Sequence, residues 1–261
     1  MIVRDTPDGG LLLVAQTDHS RLVGRLAARW GGEGFERPDP YESMARAAAF
    51  HDYGWLRYET APRWNPDTGR PYAFLEAPLD AEQLEAYQWG LDWMEGIDAY
   101  SGLIVSMHRT GLWKGRYGTI RHPKSYDLAD PDPGIQRFID RNESRQAELR
   151  KGLDAPRLWI NYRLQQVWDL LGLYFCCQEP VEDFVDPVPR GYAEAEGEGI
   201  CLRLSPEGPG RVAMDPFPFQ ERPMQLELVA QRLAHATYPD LESFREAYYR
   251  AHVELLRFEI V

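Results

Sequence analysis

The stretch LWINYRLQQVWDLLGLYFCC, residues 158–177, decides the reading of the fold. It is apolar almost all round, the signature of a helix buried at the centre of a domain rather than lying on its surface. Its polar residues are not scattered. Asn161, Gln165 and Asp169 follow at i, i+4 and i+8, and Gly172 continues the same line. A buried polar group must find a partner. The stripe therefore faces a polar cavity, or Asp169 meets a cation; a solvated stripe on a partly exposed helix is the plainer alternative. Arg163 and Gln166 fall off the line and read as peripheral.

Working outward, the pattern before this helix is mostly helical. Ile2-Val3, the turn Pro7-Asp8-Gly9-Gly10 and Leu11–Val14 predict an opening hairpin. A helix capped by Thr17 or Asp18 follows, with Leu22, Val23, Leu26, Ala27 and Trp30 on one face, ended by Gly31-Gly32. Further helices are expected at about 41–52, 80–95, 98–112 and 134–151. Between them, residues 61–80 carry Pro62, Pro66, Pro71 and Pro78, a long turn-rich loop of the kind that forms lids or binding loops. After Pro180 the texture changes to period two, at 200–204, 211–214 and 224–229, with a helix behind Asp240 and a last strand at 253–261. The fold class expected is mainly α: a helical bundle over residues 1–180, with a smaller antiparallel β-rich C-terminal appendage over 181–261.

Charge narrows the function. Lys and Arg total 29 against 41 Asp and Glu, a net charge of −12 over 261 residues. Nucleic-acid and anionic-membrane binders need a cationic surface, so neither partner is expected. No apolar run approaches the ~20 residues of a membrane span, and the N-terminus lacks a secretory pattern. Cys176, Cys177 and Cys201 have neither disulfide-framework nor zinc spacing. A cytoplasmic location is expected, and an oligomer is compatible with the sequence.

Four candidate ligands sit on inward helical faces. His51-Asp52 closes the second helix on the side of Met44, Ala48 and Trp55, and His19 shares the face of Leu22, Val23 and Leu26. An isolated carboxylate in a dry interior is costly, and a metal ion would satisfy it. Singly, each histidine also reads as a core residue bonded to a neighbour. Two imidazoles and two carboxylates (His19, His51, Asp52, Asp169) form a mixed set suited to Fe, Mn, Co, Ni or Zn. His108, beside Gly111, is a further ligand or a proton donor, and Asp52 a bridge to a second ion. The segment after it holds Arg109, Lys114, Arg116, Arg121, His122 and Lys124, with no acid before Asp127. Folded over the site, it would hold a small anionic molecule, with Arg109 and Lys114 beside His108 and Arg116, Arg121 and Lys124 nearer the mouth. Tyr117 and Tyr126 would stack on a base. Asn161 and Gln165 are the other candidate substrate-binding residues, and His108 and Asp52 the candidate catalytic ones.

The order His19, His51-Asp52 and a late Asp169 resembles the HD-domain superfamily of metal-dependent phosphohydrolases. The wider pattern Gln16-x-Asp18-His19-Ser20, His51-Asp52-Tyr53-Gly54-Trp55, His108 and Asp169-Leu-Leu-Gly-Leu resembles an uncharacterised bacterial family, a domain of unknown function. The resemblance implies an HD-like bundle and hydrolysis of a small phosphorylated metabolite or nucleotide. It implies as an alternative a diiron oxygenase; a non-catalytic metal- or ligand-sensing protein is a third reading, from a different class.

Overall fold

A computed structural model describes residues 1–120, 128, 130–195 and 197–261. Strands β1 (Ile2–Asp5) and β2 (Leu11–Val14) form the expected hairpin. The helices then follow in order: α1 (Gln16–Arg29), α2 (Tyr41–Phe50) and the short α3 (Trp55–Glu59). Thr17 and Asp18 fall inside the first turn of α1, which starts at Gln16 without a side-chain cap. The proline-rich loop contains a two-residue hairpin, β3 (Trp64–Asn65) with β4 (Arg70–Pro71). Next come α4 (Ala81–Ile97), α5 (Ala99–Gly111), α6 (Pro133–Leu149) and α7 (Ala155–Cys177). Asp80, Asp98, Asp132 and Asp154 cap these four in turn, each carboxylate accepting a backbone N–H of the first turn.

The rest of the chain is β5 (Asp183–Val188), β6 (Ile200–Gly208), β7 (Arg211–Asp215), β8 (Met224–Leu233), α8 (Leu241–Tyr249) and β9 (His252–Ile260). A mainly helical bundle with a β appendage is not what forms. All the long strands join one seven-stranded mixed sheet in the order β1-β2-β8-β9-β7-β6-β5, antiparallel except between β7 and β9. The N-terminal hairpin belongs to it, because Leu11 pairs with Leu233 and Leu13 with Gln231. The physical reason lies in β2, whose four residues are all buried. Leu12 and Val14 face the helices, while Leu11 and Leu13 pack on the other side with Met1, Tyr238 and Phe244. A strand apolar on both faces belongs inside a sheet. A free hairpin would leave one face in water.

The helices cover one face of this sheet. Leu226, Leu228 and Ala230 of β8 and Phe258 and Ile260 of β9 point into their core, and the Phe258 ring lies 5.0 Å from that of Phe175 on α7. Helix α7 is buried from Leu158 to Cys176 except at Trp159, and it packs against α1, α2 and α5. Two glycines allow close approach, Gly24 between α1 and α2 and Gly172 between α7 and α1. A Cβ on Gly24 would lie 2.5 Å from Cβ of Ala49, and one on Gly172 would lie 2.4 Å from Cγ2 of Val23 and 2.8 Å from Cε1 of His19. Among the described residues, no helix is long and apolar enough to cross a membrane.

Candidate functional site

The close crossing of α1, α2, α5 and α7 brings five side chains to one place. His19 comes from the first turn of α1, His51 and Asp52 from the end of α2, His108 from the last turn of α5 and Asp169 from the middle of α7. All are buried, His19 completely. Helix α1 holds two of them, since the Ser20 hydroxyl also accepts the backbone N–H of Asp52 at 3.2 Å. The Nε2 of His19 lies 3.2 Å from Oδ1 of Asp169; that of His51 lies 3.5 Å from the same oxygen and 3.6 Å from Oδ2 of Asp52. Candidate ligand atoms of His19, His51 and Asp169 lie within 4.8 Å of one another, as do those of His51, Asp52 and His108.

These residues fit a metal ion. Donors about 2.1 Å from one ion are about 3.0–3.4 Å apart along the edges of an octahedron or tetrahedron, close to the separations observed. Tautomers point the same way for His51. Its Nδ1–H donates to the carbonyl of Ala48 at 2.8 Å, leaving a lone pair on Nε2. That Nε2 is buried beside two carboxylates without a hydrogen bond. A ligand histidine is held by its other nitrogen in this way.

His108 is held in the opposite sense. Arg116 can only donate, and its Nη1 bonds Oε1 of Gln166, which turns the Gln166 amide nitrogen toward Nδ1 of His108 at 3.0 Å. Neutral His108 therefore carries its proton on Nε2, a buried atom with no other partner. Burial holds the His108 pKa well below its ordinary value despite the pull of Asp169, so the neutral form dominates. For His51 burial acts downward too, but Asp52 and Asp169 outweigh it and raise the pKa. Burial pushes the Asp169 carboxyl upward. His108, a hydrogen bond from His19, the nearby His51 ring and the Arg116 guanidinium overcome it and hold the group well below the carboxylate range.

Arg116 reaches this depth through an unusual turn. Gly115, Arg116, Tyr117 and Gly118 all have positive φ, at 55°, 53°, 52° and 70°. Two non-glycine residues there cost about 1 kcal/mol or more each. The turn is fastened by the Tyr117 hydroxyl, 2.7 Å from the Thr110 hydroxyl and donating to Glu143 at 2.9 Å. It aims both terminal nitrogens of Arg116 at Oδ2 of Asp169, each at 3.2 Å. Oδ1 is left facing His19 and His51.

The cluster opens into a cavity of about 350 Å³. Asp52, His108, Asp169, Arg109 and Arg116 line it, and Gln16 joins them. The Arg109 guanidinium is sandwiched 4.5 Å from the ring of Tyr87 and 4.7 Å from that of Trp113. Other expected residues lie elsewhere. Asn161 turns to the Asp39 carbonyl and the hydroxyls of Tyr100 and Tyr192. Gln165, on the stripe itself, is buried but does not line the cavity. Lys114 sits at the surface with Nζ 3.2 Å from Glu143, since its lysine stem starts on the outer side of the turn that buries Arg116. Tyr117 is spent on fastening that turn. Arg121, His122, Lys124 and Tyr126 lie outside the described residues. Gln166, read as peripheral, is a contact of both His108 and Arg116; its signal was the i, i+3 spacing to Asp169.

A family model described as protein of unknown function (DUF3891) matches residues 1–235, and the chain belongs to that family. No curated protein and no solved structure matches it.

Proposed function

We propose that this member of the DUF3891 family is a metal-dependent phosphohydrolase, similar in its ligand order to HD-type enzymes, acting on a small phosphorylated molecule. The observation that carries the reading is the meeting of His19, His51 and Asp169, with Asp52 beside His51, at a cavity lined by both carboxylates and two arginines. The formal charges of Asp52, Asp169, Arg109 and Arg116 cancel. A divalent ion held by the four ligands would leave an excess of two positive charges, the complement of a phosphate monoester near pH 7. Fe, Mn, Co, Ni or Zn suits this N/O set. Bound there, the ion supplies Lewis-acid polarisation of the phosphoryl group and an acidified water. Arg109 would hold a phosphoryl oxygen in a desolvated corner, where a charge-assisted bond is strong. The Nε2–H of His108 would donate a hydrogen bond to the leaving oxygen. Asp52 is the second carboxylate, the residue to take the proton of the attacking water.

A diiron oxygenase is the second reading, favoured by the overlapping group His51, Asp52 and His108. It needs a lone pair on Nε2 of His108, hence a turned Gln166 amide and loss of its bond from Arg116. The test is elemental analysis of purified protein together with turnover of a generic phosphate monoester. About one ion per chain with phosphate release supports the hydrolase. Two irons with an oxidised-state absorption band support the oxygenase. A chain that binds no transition metal overturns both and leaves a ligand-sensing role.

A further inference from the structure

The cavity is unevenly furnished. Among the described residues its ionisable lining is Asp52, His108, Arg109, Arg116 and Asp169. The rest of its wall from the helical body is Trp55, Tyr87, Trp113, Leu112 and Leu173, with Tyr87 and Trp113 flanking the Arg109 guanidinium. The roof is Phe74, Leu75, Ala77 and Leu79, contributed by the proline-rich loop. Leu75 is 71% exposed and Leu79 37%. Exposed leucines at the mouth of an aromatic-lined cavity mark a surface that an apolar ligand covers.

We infer that the group esterified to phosphate in this site is apolar, aryl or branched alkyl, rather than a sugar or nucleoside. This rests on the phosphoester reading and adds the class of substrate to it. Among the described lining residues, the side-chain hydrogen-bonding groups besides the ionisable ones are the Gln16 amide, the Tyr87 hydroxyl and the indole N–H groups of Trp55 and Trp113. A sugar brings several hydroxyls that lose water on entry, and each one left unpaired weakens binding by about five- to hundredfold. An aromatic or branched aliphatic group loses nothing polar and covers the leucines. The volume equals roughly a dozen waters, enough for a bicyclic ring with a phosphoryl group.

The experiment is calorimetric titration of the full chain reconstituted with Mn(II). The probes are inorganic phosphate, naphthylmethylphosphonate and dihydroxypropylphosphonate, the last two having C–P bonds that hydrolysis does not cleave. The naphthyl compound is expected to bind at least tenfold more tightly than the diol. Leu75→Asp, at an exposed position that tolerates it, is expected to remove most of that preference and leave inorganic phosphate affinity unchanged. Equal or tighter binding of the diol, with phosphate still bound, overturns the apolar class and spares the phosphoester reading. A preference unaltered in Leu75→Asp overturns the role of the loop roof. Failure of inorganic phosphate to bind overturns both the phosphoester reading and this inference.

Discussion

Helix α7 and strand β8 are both core elements, and they bury different things. Along β8 burial alternates from Met224 to Ala230, with Gln225, Glu227 and Val229 outside and Leu226, Leu228 and Ala230 inside. Every polar side chain in that stretch reaches water. Helix α7 instead buries Asn161, Arg163, Gln165, Gln166 and Asp169. Buried polar groups cost free energy unless paired, so a helix chosen for stability alone would carry leucines there. The strand is built for packing. The helix gives up some packing to hold a charged cluster at a fixed point.

That contrast can be broken by substitution. The largest effect is expected from Asp169→Asn, which leaves the buried Arg116 without its carboxylate and removes a proposed ligand. Urea unfolding should show a loss of about 3–5 kcal/mol in the metal-free chain, and elemental analysis should show metal content falling sharply. Unchanged metal stoichiometry would make Asp169 structural, like a residue of the strand. Next is Leu228→Ala in β8, expected to cost about 2–5 kcal/mol by the same measurement while metal content stays constant.

Gly172→Ala joins the two kinds of effect. The added methyl overlaps Val23 and His19. It should cost about 1–3 kcal/mol and weaken Mn(II) affinity in a competition titration, because His19 must shift. If stability falls and affinity does not, His19 is not a ligand. Arg109→Ala should leave metal content unaltered and weaken phosphate binding to the metal-loaded chain by about 1.5–3 kcal/mol, read by calorimetry. The smallest effect is assigned to Val229→Thr on the outer face of β8. A shift in stability beyond about 0.5 kcal/mol would mean that this face is not simply solvated.

The same contrast explains what the sequence made legible. Alternation in 224–229 and the apolar run 158–177 are local signals, and the elements they predict form. The clustering of His19, His51, Asp52 and Asp169 was also legible, because each stands on an apolar helical face. Sheet membership of the N-terminal hairpin was not, since register between β2 and β8 is set by packing of distant strands. A hint existed in Leu11-Leu12-Leu13-Val14, which is apolar without alternation, as a strand buried on both faces must be. Strand β5 was missed because Pro187 in Asp-Phe-Val-Asp-Pro-Val cannot donate to a ladder and demotes the run. Tertiary geometry also separated Lys114 from Arg116, two residues apart in sequence and on opposite sides of one turn.

The pairing of Leu11 with Leu233 sets a timetable for biosynthesis. These partners are 222 positions apart, and a ribosome adding about 5–20 residues per second needs about 10–45 s to traverse that distance. Throughout this interval β2 has been made and β8 has not. One of its leucine faces can be sheltered early by the helices, but its hydrogen-bonding edge stays open until the C-terminal strands emerge. The sheet therefore closes last, and the nascent chain spends its synthesis carrying a sticky, unpaired hairpin that a chaperone or a neighbouring polysome could seize.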